Sequence, residues 1–320
     1  MSSPAVFASL AEFGNREPKP AWLAIGMFDG VHLGHRAVLT LASEAAAEEN
    51  DLVAALTFPE HPAKSLRPGK EPPLLMDART KSEALLGCGV DCVVMKPFDE
   101  SLSEVSSGEF LPYLKEKIPS LRGICVGENF HFGKDRIGNA DFLRENGALS
   151  GLEVCIAKGV LEDELPISSS RIRESLAKGE IELVNRMLGF PYRIGGQVVP
   201  GNKLGRTIGF PTLNLPWFPE ARPAYGVYLV EVSFPGKKES VHGVANYGLR
   251  PTVEEEELEP LFEVHLLGEG DYSVHQAGDR ISASLLSFIR PEKKFDSLEA
   301  LKSRIALDEK RALELAAQLS

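Results

Sequence analysis

The chain has 320 residues, 46 acidic against 35 basic, and a formal net charge of −11. That length predicts two domains at ~100–200 residues each, and the acidic balance argues against a nucleic-acid binder, which needs a basic stripe. The longest apolar run, Leu52–Phe58, is far short of the ~18 residues of a membrane span, no leader-like segment opens the chain, and four cysteines make no disulfide framework; a cytoplasmic protein with reduced thiols and no membrane partner is expected.

Strand and helix patterns alternate from about residue 21 to 157. Trp22–Phe28 is an apolar run, Arg36–Glu49 is Ala-rich and helical, and Leu52–Phe58 is apolar again. Lys81–Gly87 reads as a helix, Cys92–Phe98 as a strand, Gly108–Ile118 as a helix, and Gly123–Val126 and Leu152–Ala157 as strands. Apolar strands alternating with helices predict a parallel sheet covered on both faces. The pattern changes around Ile181–Gly189, giving expected domains of 1–185 and 186–320. Tyr192–Val199, Gly226–Phe234, Val241–Asn246, Leu261–Leu267 and Arg280–Ile289 are strand-like, with Gly, Pro and Asn between them and no intervening helix. That predicts a small antiparallel barrel or sandwich. Glu254–Glu259 reads as a solvated acidic loop. Ser297–Leu319 closes the chain as a helix, capped by Ser297, with an apolar face of Leu298, Leu301, Ile305, Leu313 and Ala316.

The first strand runs into Gly26-Met27-Phe28-Asp29-Gly30-Val31-His32-Leu33-Gly34-His35. Gly30 and Gly34 allow close backbone approach to a ligand. The two histidines sit at a helix start, where free N–H groups and the dipole favour an anion; the plain alternative is a pair of loop histidines. Ser168-Ser169-Ser170-Arg171-Ile172-Arg173 opens another helix with three hydroxyls and two arginines. That set suits a triphosphate, although a simple helix cap explains the hydroxyls equally well. Between them, Val126-Gly127-Glu128-Asn129-Phe130-His131-Phe132-Gly133 follows a strand, at the edge where open α/β sheets bind ligands.

The His-x-Gly-His spacing with the downstream Ser-Ser-Ser-Arg-Ile-Arg resembles the nucleotidyltransferase superfamily. With Thr57-Phe58-Pro59-Glu60-His61-Pro62, Val126–Gly133 and Lys81–Pro97, this half is similar to the FMN adenylyltransferase module of the bacterial bifunctional riboflavin kinase/FAD synthetase family. The resemblance implies a Rossmann-like α/β fold in which FMN phosphate attacks the α-phosphorus of ATP and pyrophosphate leaves. It implies that His32 and His35 steady the phosphates, with Gly26, Phe28, Asp29 and Gly30 around the nucleotide. Ser168, Ser169, Arg171 and Arg173 would grip the triphosphate, and Asn129 and Phe130 would lie in the flavin/nucleotide loop.

Downstream, Gly201-Asn202-Lys203-Leu204-Gly205-Arg206-Thr207-Ile208-Gly209-Phe210-Pro211-Thr212-Leu213-Asn214 concentrates glycines and cations in one loop, suited to wrapping a phosphate. Thr212 and Asn214 point the same way on an extended segment, and their oxygens suit a Mg²⁺ shell; a tight hairpin is the alternative. In Leu261-Phe262-Glu263-Val264-His265, Glu263 and His265 share a strand face. An acid in an apolar strand needs a partner or a task, unless it simply faces solvent.

This region resembles riboflavin kinase through Leu188–Tyr192, the glycine loop, Tyr225–Tyr228, Asn246–Thr252, Phe262–Leu266 and Ile289–Phe295. The resemblance implies a six-stranded antiparallel barrel with a C-terminal helix beside the flavin. It implies that Gly201, Lys203, Gly205 and Arg206 meet the nucleotide, that Thr212 and Asn214 hold Mg-ATP, that Glu263 accepts the proton of the ribityl 5′-hydroxyl, and that Arg290 lies by the flavin. Mg²⁺, ATP, riboflavin, FMN and FAD are the cofactor, substrates and products so implied. The family usually continues from Leu266 through Asp-Phe to Tyr-Gly, whereas this chain reads Leu267-Gly268-Glu269-Gly270-Asp271-Tyr272-Ser273-Val274. That departure supports one alternative, an adenylyltransferase whose second domain only binds flavin. A cytidylyltransferase-like enzyme would leave the glycine loop unexplained, and a non-catalytic binding protein would leave both phosphate sites so.

Overall fold

The apolar runs of the first half become strands because both of their faces are covered. In β2 (Ala21–Ile25) every residue is buried. Leu23 and Ile25 face one core with Phe7, Phe13, Leu56, Val94 and Ile124, while Trp22 and Ala24 face another with Leu39, Ala55, Val93 and Cys125. That is the burial a parallel sheet requires. The computed structural model describes residues 5–201, 204–237, 239–251, 258–268 and 278–319. Lys203, most of Glu254–Glu259 and the stretch 269–274 with Tyr272 lie outside the described residues. Two compact units divide the chain, Met1–Ser169 and Ser170–Ser320.

The first unit runs β1 (Ala5–Phe7), α1 (Leu10–Arg16), β2, α2 (Leu33–Ala47), β3 (Leu52–Thr57), α3 (Ala63–Leu66), α4 (Ala78–Gly87), β4 (Cys92–Met95), α5 (Glu100–Ser103), α6 (Phe110–Lys117) and β5 (Leu121–Gly127). A small hairpin of β6 (His131–Phe132) and β7 (Gly138–Asn139) follows, then α7 (Ala140–Gly147), β8 (Glu153–Ala157) and a hairpin of β9 (Leu161–Glu162) and β10 (Leu165–Pro166). The sheet order is β1-β4-β3-β2-β5-β8, parallel throughout. The chain winds outward from β2 in one direction, then returns to lay β5 on its other side. The carboxyl ends of β2 and β5 therefore flank the switch point, where ligands bind in such sheets. The edge strand β1 and helix α1 went unrecognised in the sequence: β1 is three residues long, and Gly14 interrupts the helical pattern. Glycine is needed there, since a Cβ at Gly14 would lie 2.1 Å from the Lys117 carbonyl oxygen.

The second unit opens with α8 (Ser169–Lys178), which crosses the divide, and α9 (Ile181–Leu188). The expected boundary near Ile181–Gly189 is thus helix. Ile181, Val184, Met187 and Leu188 are fully buried, and Asn185 ties α9 to the barrel, donating to the Leu285 carbonyl (2.8 Å) and accepting from the Tyr192 N–H (2.8 Å). The barrel comprises β11 (Tyr192–Gln197), β12 (Leu213–Pro216), β13 (Gly226–Ser233), β14 (Val241–Pro251), β15 (Leu258–Leu266) and β16 (Arg280–Pro291), with the one-turn α10 (Leu204–Thr207) between β11 and β12. The order is β11-β16-β13-β14-β15-β12, antiparallel throughout. A bridge from Val199 to Asn214 brings the two ends together, so the sheet almost closes. The expectation of no helix among these strands is corrected by α10, whose single turn is too short to leave a periodic pattern.

Helix α11 (Leu298–Leu319) begins as expected, with the Ser297 hydroxyl accepting from the Ala300 N–H at 3.1 Å. Its expected apolar face holds at Ala316 and is corrected at Leu298 and Leu313. Leu298 and Leu313 are 50% and 53% exposed, while Ala312, Ala316 and Asp308 are buried. Small side chains let the helix pack close to Val227, Leu229 and Val244. Asp308 can be buried because Arg290 grips it with a forked pair of bonds and Arg304 adds a third contact.

Candidate functional site

At the end of β2 the chain makes a turn with unusual backbone. Phe28 (φ 49°), Gly30 (φ 87°) and Val31 (φ 42°) all have positive φ. For a β-branched residue this is an outlier that costs on the order of 1–3 kcal/mol and needs support from its surroundings. The support is visible. The Met27 carbonyl accepts from Thr57 Oγ1 (2.8 Å) and from Lys81 Nζ (3.2 Å). Asp29, 0% exposed, accepts from the Leu75 N–H at 2.9 Å, and its own carbonyl accepts from Ser169 Oγ at 2.9 Å. The Phe28 ring turns back under Gly26, where a Cβ would sit 3.0 Å from it.

The turn delivers two stacked imidazoles. His32 caps α2, and its Nδ1 accepts from the His35 N–H at 3.2 Å. In the neutral ring that leaves the proton on Nε2, a donor for a ligand. The His32 and His35 rings stack at 3.6 Å and 14°, with Phe28 edge-on to His35 at 5.3 Å. Burial, and then the proximity of His32 and Lys81, hold the pKa of His35 well below the ordinary histidine value. His35 is therefore an uncharged ring stacked on the residue that caps a 15-residue helix, at an N-terminus whose dipole favours an anion. Asn129 and Phe130 leave β5, the strand beside β2. Asn129 is exposed, and Phe130 stacks on Phe132 at 5.7 Å. Ser168 and Ser169 stand at the start of α8; Arg171 and Arg173 lie farther along that helix, within the second unit.

In the barrel, strand register builds the site. Asn214 on β12 lies opposite Glu263 on β15, and Glu263 lies opposite Asn246 on β14. These three share one face of the sheet; Phe262 and Val264, alternating with Glu263, are fully buried on the other. Asn214 is 5% exposed and donates to the Thr212 carbonyl at 3.4 Å. Its Oδ1 is buried without a hydrogen-bond partner. A buried hard oxygen left open in this way, beside the Thr212 hydroxyl segment, fits the shell of a Mg²⁺ ion. Gly201 must be glycine, since a Cβ would lie 2.4 Å from Asn214 Nδ2. Gly205 likewise faces the Phe210 carbonyl, 2.3 Å from an ideal Cβ, and Arg206 falls in α10.

Two residues were not assigned a role from sequence. His265, on the Glu263 face, donates from Nδ1 to the Pro211 carbonyl at 2.8 Å, just before Thr212, with Nε2 3.9 Å from Glu309. Lys81 is fully buried. Its signal was position: Lys81 and Leu85 are one helical turn apart on the buried stripe of α4. Arg290, expected beside the flavin, spends its guanidinium on Asp308 and lies 5.8 Å over the Phe295 ring.

Both halves match known families. The FAD synthetase family model covers residues 14–171 and the riboflavin kinase model residues 188–316. A curated Escherichia coli K12 protein named bifunctional riboflavin kinase/FMN adenylyltransferase is 38% identical over 292 residues, 91% of each chain. Proteins with the same name from Pseudomonas fluorescens and Bacillus subtilis are 39% and 34% identical, covering 92% and 91% of each chain. A solved Streptococcus pneumoniae structure, described as a macrolide-efflux protein, aligns with a TM-score of 0.85 at 27% identity over 96% of this chain and 98% of that one. Among the described residues no helix is long and apolar enough to cross a membrane. With both family matches in order and relatives aligned over nine-tenths of its length, the chain belongs to the bifunctional riboflavin kinase/FMN adenylyltransferase family.

Proposed function

We propose that the two activities of this enzyme, riboflavin kinase and FMN adenylyltransferase, run at the two separate residue sets described above. In the barrel, Glu263 orients the ribityl 5′-hydroxyl of riboflavin and takes its proton as the oxygen attacks the γ-phosphorus of ATP; FMN and ADP result. Thr212 and Asn214 hold Mg²⁺, which when bound offsets the charge of the ATP phosphates. Gly201, Lys203, Gly205 and Arg206 line the phosphate path, and Arg290 positions the flavin side through the Asp308-bound end of β16. In the parallel-sheet half, the FMN phosphate attacks the α-phosphorus of a second ATP, the bond to the leaving pyrophosphate breaks, and FAD forms. Gly26, Phe28, Asp29 and Gly30 shape the nucleotide seat, and His32 and His35 donate to phosphate oxygens as charge shifts onto them. Ser168, Ser169, Arg171 and Arg173 hold the triphosphate, while Asn129 and Phe130 meet the flavin nucleotide. The functional domains are 1–185 and 186–320, the substrates are small molecules, no nucleic acid or membrane takes part, and the compartment is the cytoplasm, for which the four free cysteines speak.

The observation that carries the barrel assignment is the register of Asn214 against Glu263, which puts a candidate base beside a candidate metal ligand. The test is a pair of variants assayed by product chromatography. Glu263→Gln keeps the size of the side chain and removes the base, so FMN synthesis should fall ~10²–10⁴-fold while FAD synthesis from supplied FMN continues. His32→Ala or Arg171→Ala should lower FAD synthesis ~10²–10³-fold and spare FMN synthesis. Near-wild-type kinase turnover in Glu263→Gln reduces Glu263 to a strand-face carboxylate.

A further inference from the structure

Lys81 is an ammonium group that neither reaction has so far used. It is 0% exposed on α4. Its Nζ donates to the Phe58 carbonyl at 2.7 Å and to the Met27 carbonyl at 3.2 Å. These carbonyls belong to two different loops: Met27 opens the turn after β2, and Phe58 follows β3. Thr57 Oγ1 also donates to Met27, so one oxygen anchors both contacts. A buried cation is costly for the fold, and an apolar side chain would fill the same space more cheaply. What the cation supplies is a rigid link between two loops that the backbone ladder does not join. Downstream of Met27 come Phe28 and Val31, both with positive φ, and then His32, whose Nδ1 caps α2. A turn in this backbone conformation relaxes once its anchor is removed. Burial draws the Lys81 pKa down to about 8, against the opposing pull of Asp29, so the amine is still charged at neutral pH.

We propose that Lys81 is a positioning residue for adenylyl transfer: its ammonium group clamps the Met27 and Phe58 carbonyls and so holds the Met27–Val31 turn in the shape that presents His32 and His35 to the phosphates. This rests on the assignment of adenylyl transfer to the His32–His35 turn. Lys81 touches no reacting atom; it acts through the turn. Displacement of a catalytic group by about 1 Å costs up to ~10²-fold in rate, and that is the effect expected of losing the clamp.

The experiment uses the full chain. Lys81→Met keeps an unbranched side chain and removes every donor. Its kcat for FAD synthesis from supplied FMN should fall ~10²-fold, with the KM values for ATP and FMN within about threefold of wild type, because ground-state contacts to the ligands remain. FMN synthesis measured on the same preparation should be unchanged. Lys81→Ala should regain part of its kcat, saturably, on addition of n-propylammonium. A role confined to packing predicts neither the kcat-only loss nor the amine rescue. If Lys81→Met does not fold, Lys81→Gln, which keeps two N–H donors, takes its place and should fall between the two. Wild-type kcat in Lys81→Met or Lys81→Ala overturns the clamp, as does rescue of Lys81→Ala by neutral butane in place of the amine. His32→Ala is assayed alongside. Loss in His32→Ala with full activity in Lys81→Met sinks only the clamp, whereas full activity in both sinks the assignment of the turn itself.

Discussion

His32 and His35 of the parallel-sheet unit follow the turn at the carboxyl end of β2, whereas Asn214 and Glu263 of the barrel stand on paired strands. In the first unit nothing in the ladder dictates where His32 points; a turn with positive φ at Phe28 and Val31 does, and buried polar groups hold that turn. In the second, the pairing of Asn214 with Glu263 is part of the ladder itself. A slip of one residue would turn Glu263 into the core and Phe262 out, which the buried face of β15 forbids. A site at strand ends thus depends on anchors from elsewhere in the chain, while a site on strand faces is as stable as its sheet. The anchors of the first kind are Thr57 and Lys81, which donate to Met27, and the Leu75 N–H, which donates to Asp29; the second kind needs glycine where the loop presses on the strand.

The largest effect should separate the two units thermodynamically. Asp308 is 2% exposed and holds the forked Arg290 contact at 2.7–3.0 Å. Asp308→Ala leaves the Arg290 guanidinium largely buried and unpaired, at a cost of ~3–5 kcal/mol. Urea unfolding should show a destabilised barrel, with FAD synthesis from supplied FMN persisting at concentrations where FMN synthesis is gone. Loss of both activities together would mean that the two sites share one stability. Next in size is Gly201→Ala. The new methyl group collides with Asn214, so the β12 residue has to move; FMN synthesis should drop up to ~10²-fold with FAD synthesis intact. An unimpaired kinase in this variant would show that Asn214 is not held by the glycine loop.

The smallest effect concerns pH. His35 has a folded-state pKa well below 6.5, so it remains neutral as the pH falls through 6.5, while the unfolded chain takes up a proton there. The folded state then binds fewer protons than the unfolded state, and the contribution of His35 to stability is complete above pH 6.5 and declines as the pH falls below it. FAD synthesis should therefore show no limb from His35 between pH 6 and 7. A limb near 6.5 that disappears in His35→Gln would mean that the ring is charged in the working enzyme.

Both architectures were legible because burial imposes periodicity: continuous apolar runs where a sheet is covered twice, alternation where it is covered once. The motif loops were legible because glycine, histidine and hydroxyl residues at strand ends have few other reasons to cluster. Elements too short to repeat a period left no such trace: β1 has three residues, and α10 and β12 have four each. The inner face of α11 is not its most apolar stripe: Ala316 of the expected face is buried, while Leu298 and Leu313 are exposed. The helix approaches the barrel through Ala312 and Ala316, and it buries Asp308 because Arg290, distant in sequence, neutralises it.

From the sequence alone came the two-domain order, the class of each sheet, the family resemblance and the residues around which both proposed phosphate sites are drawn, all of them local patterns carried by neighbouring residues. Only the tertiary structure decided that Asn214 faces Glu263, that α9 packs on the barrel, and that Lys81 joins the Met27 and Phe58 carbonyls. Each of these depends on contacts between segments far apart in the chain, and no local propensity encodes which carbonyl a buried amine will reach. A lysine written on an exposed or a buried helix face is the same letter; its neighbours in space, not in sequence, decide whether it is solvated or clamps a turn.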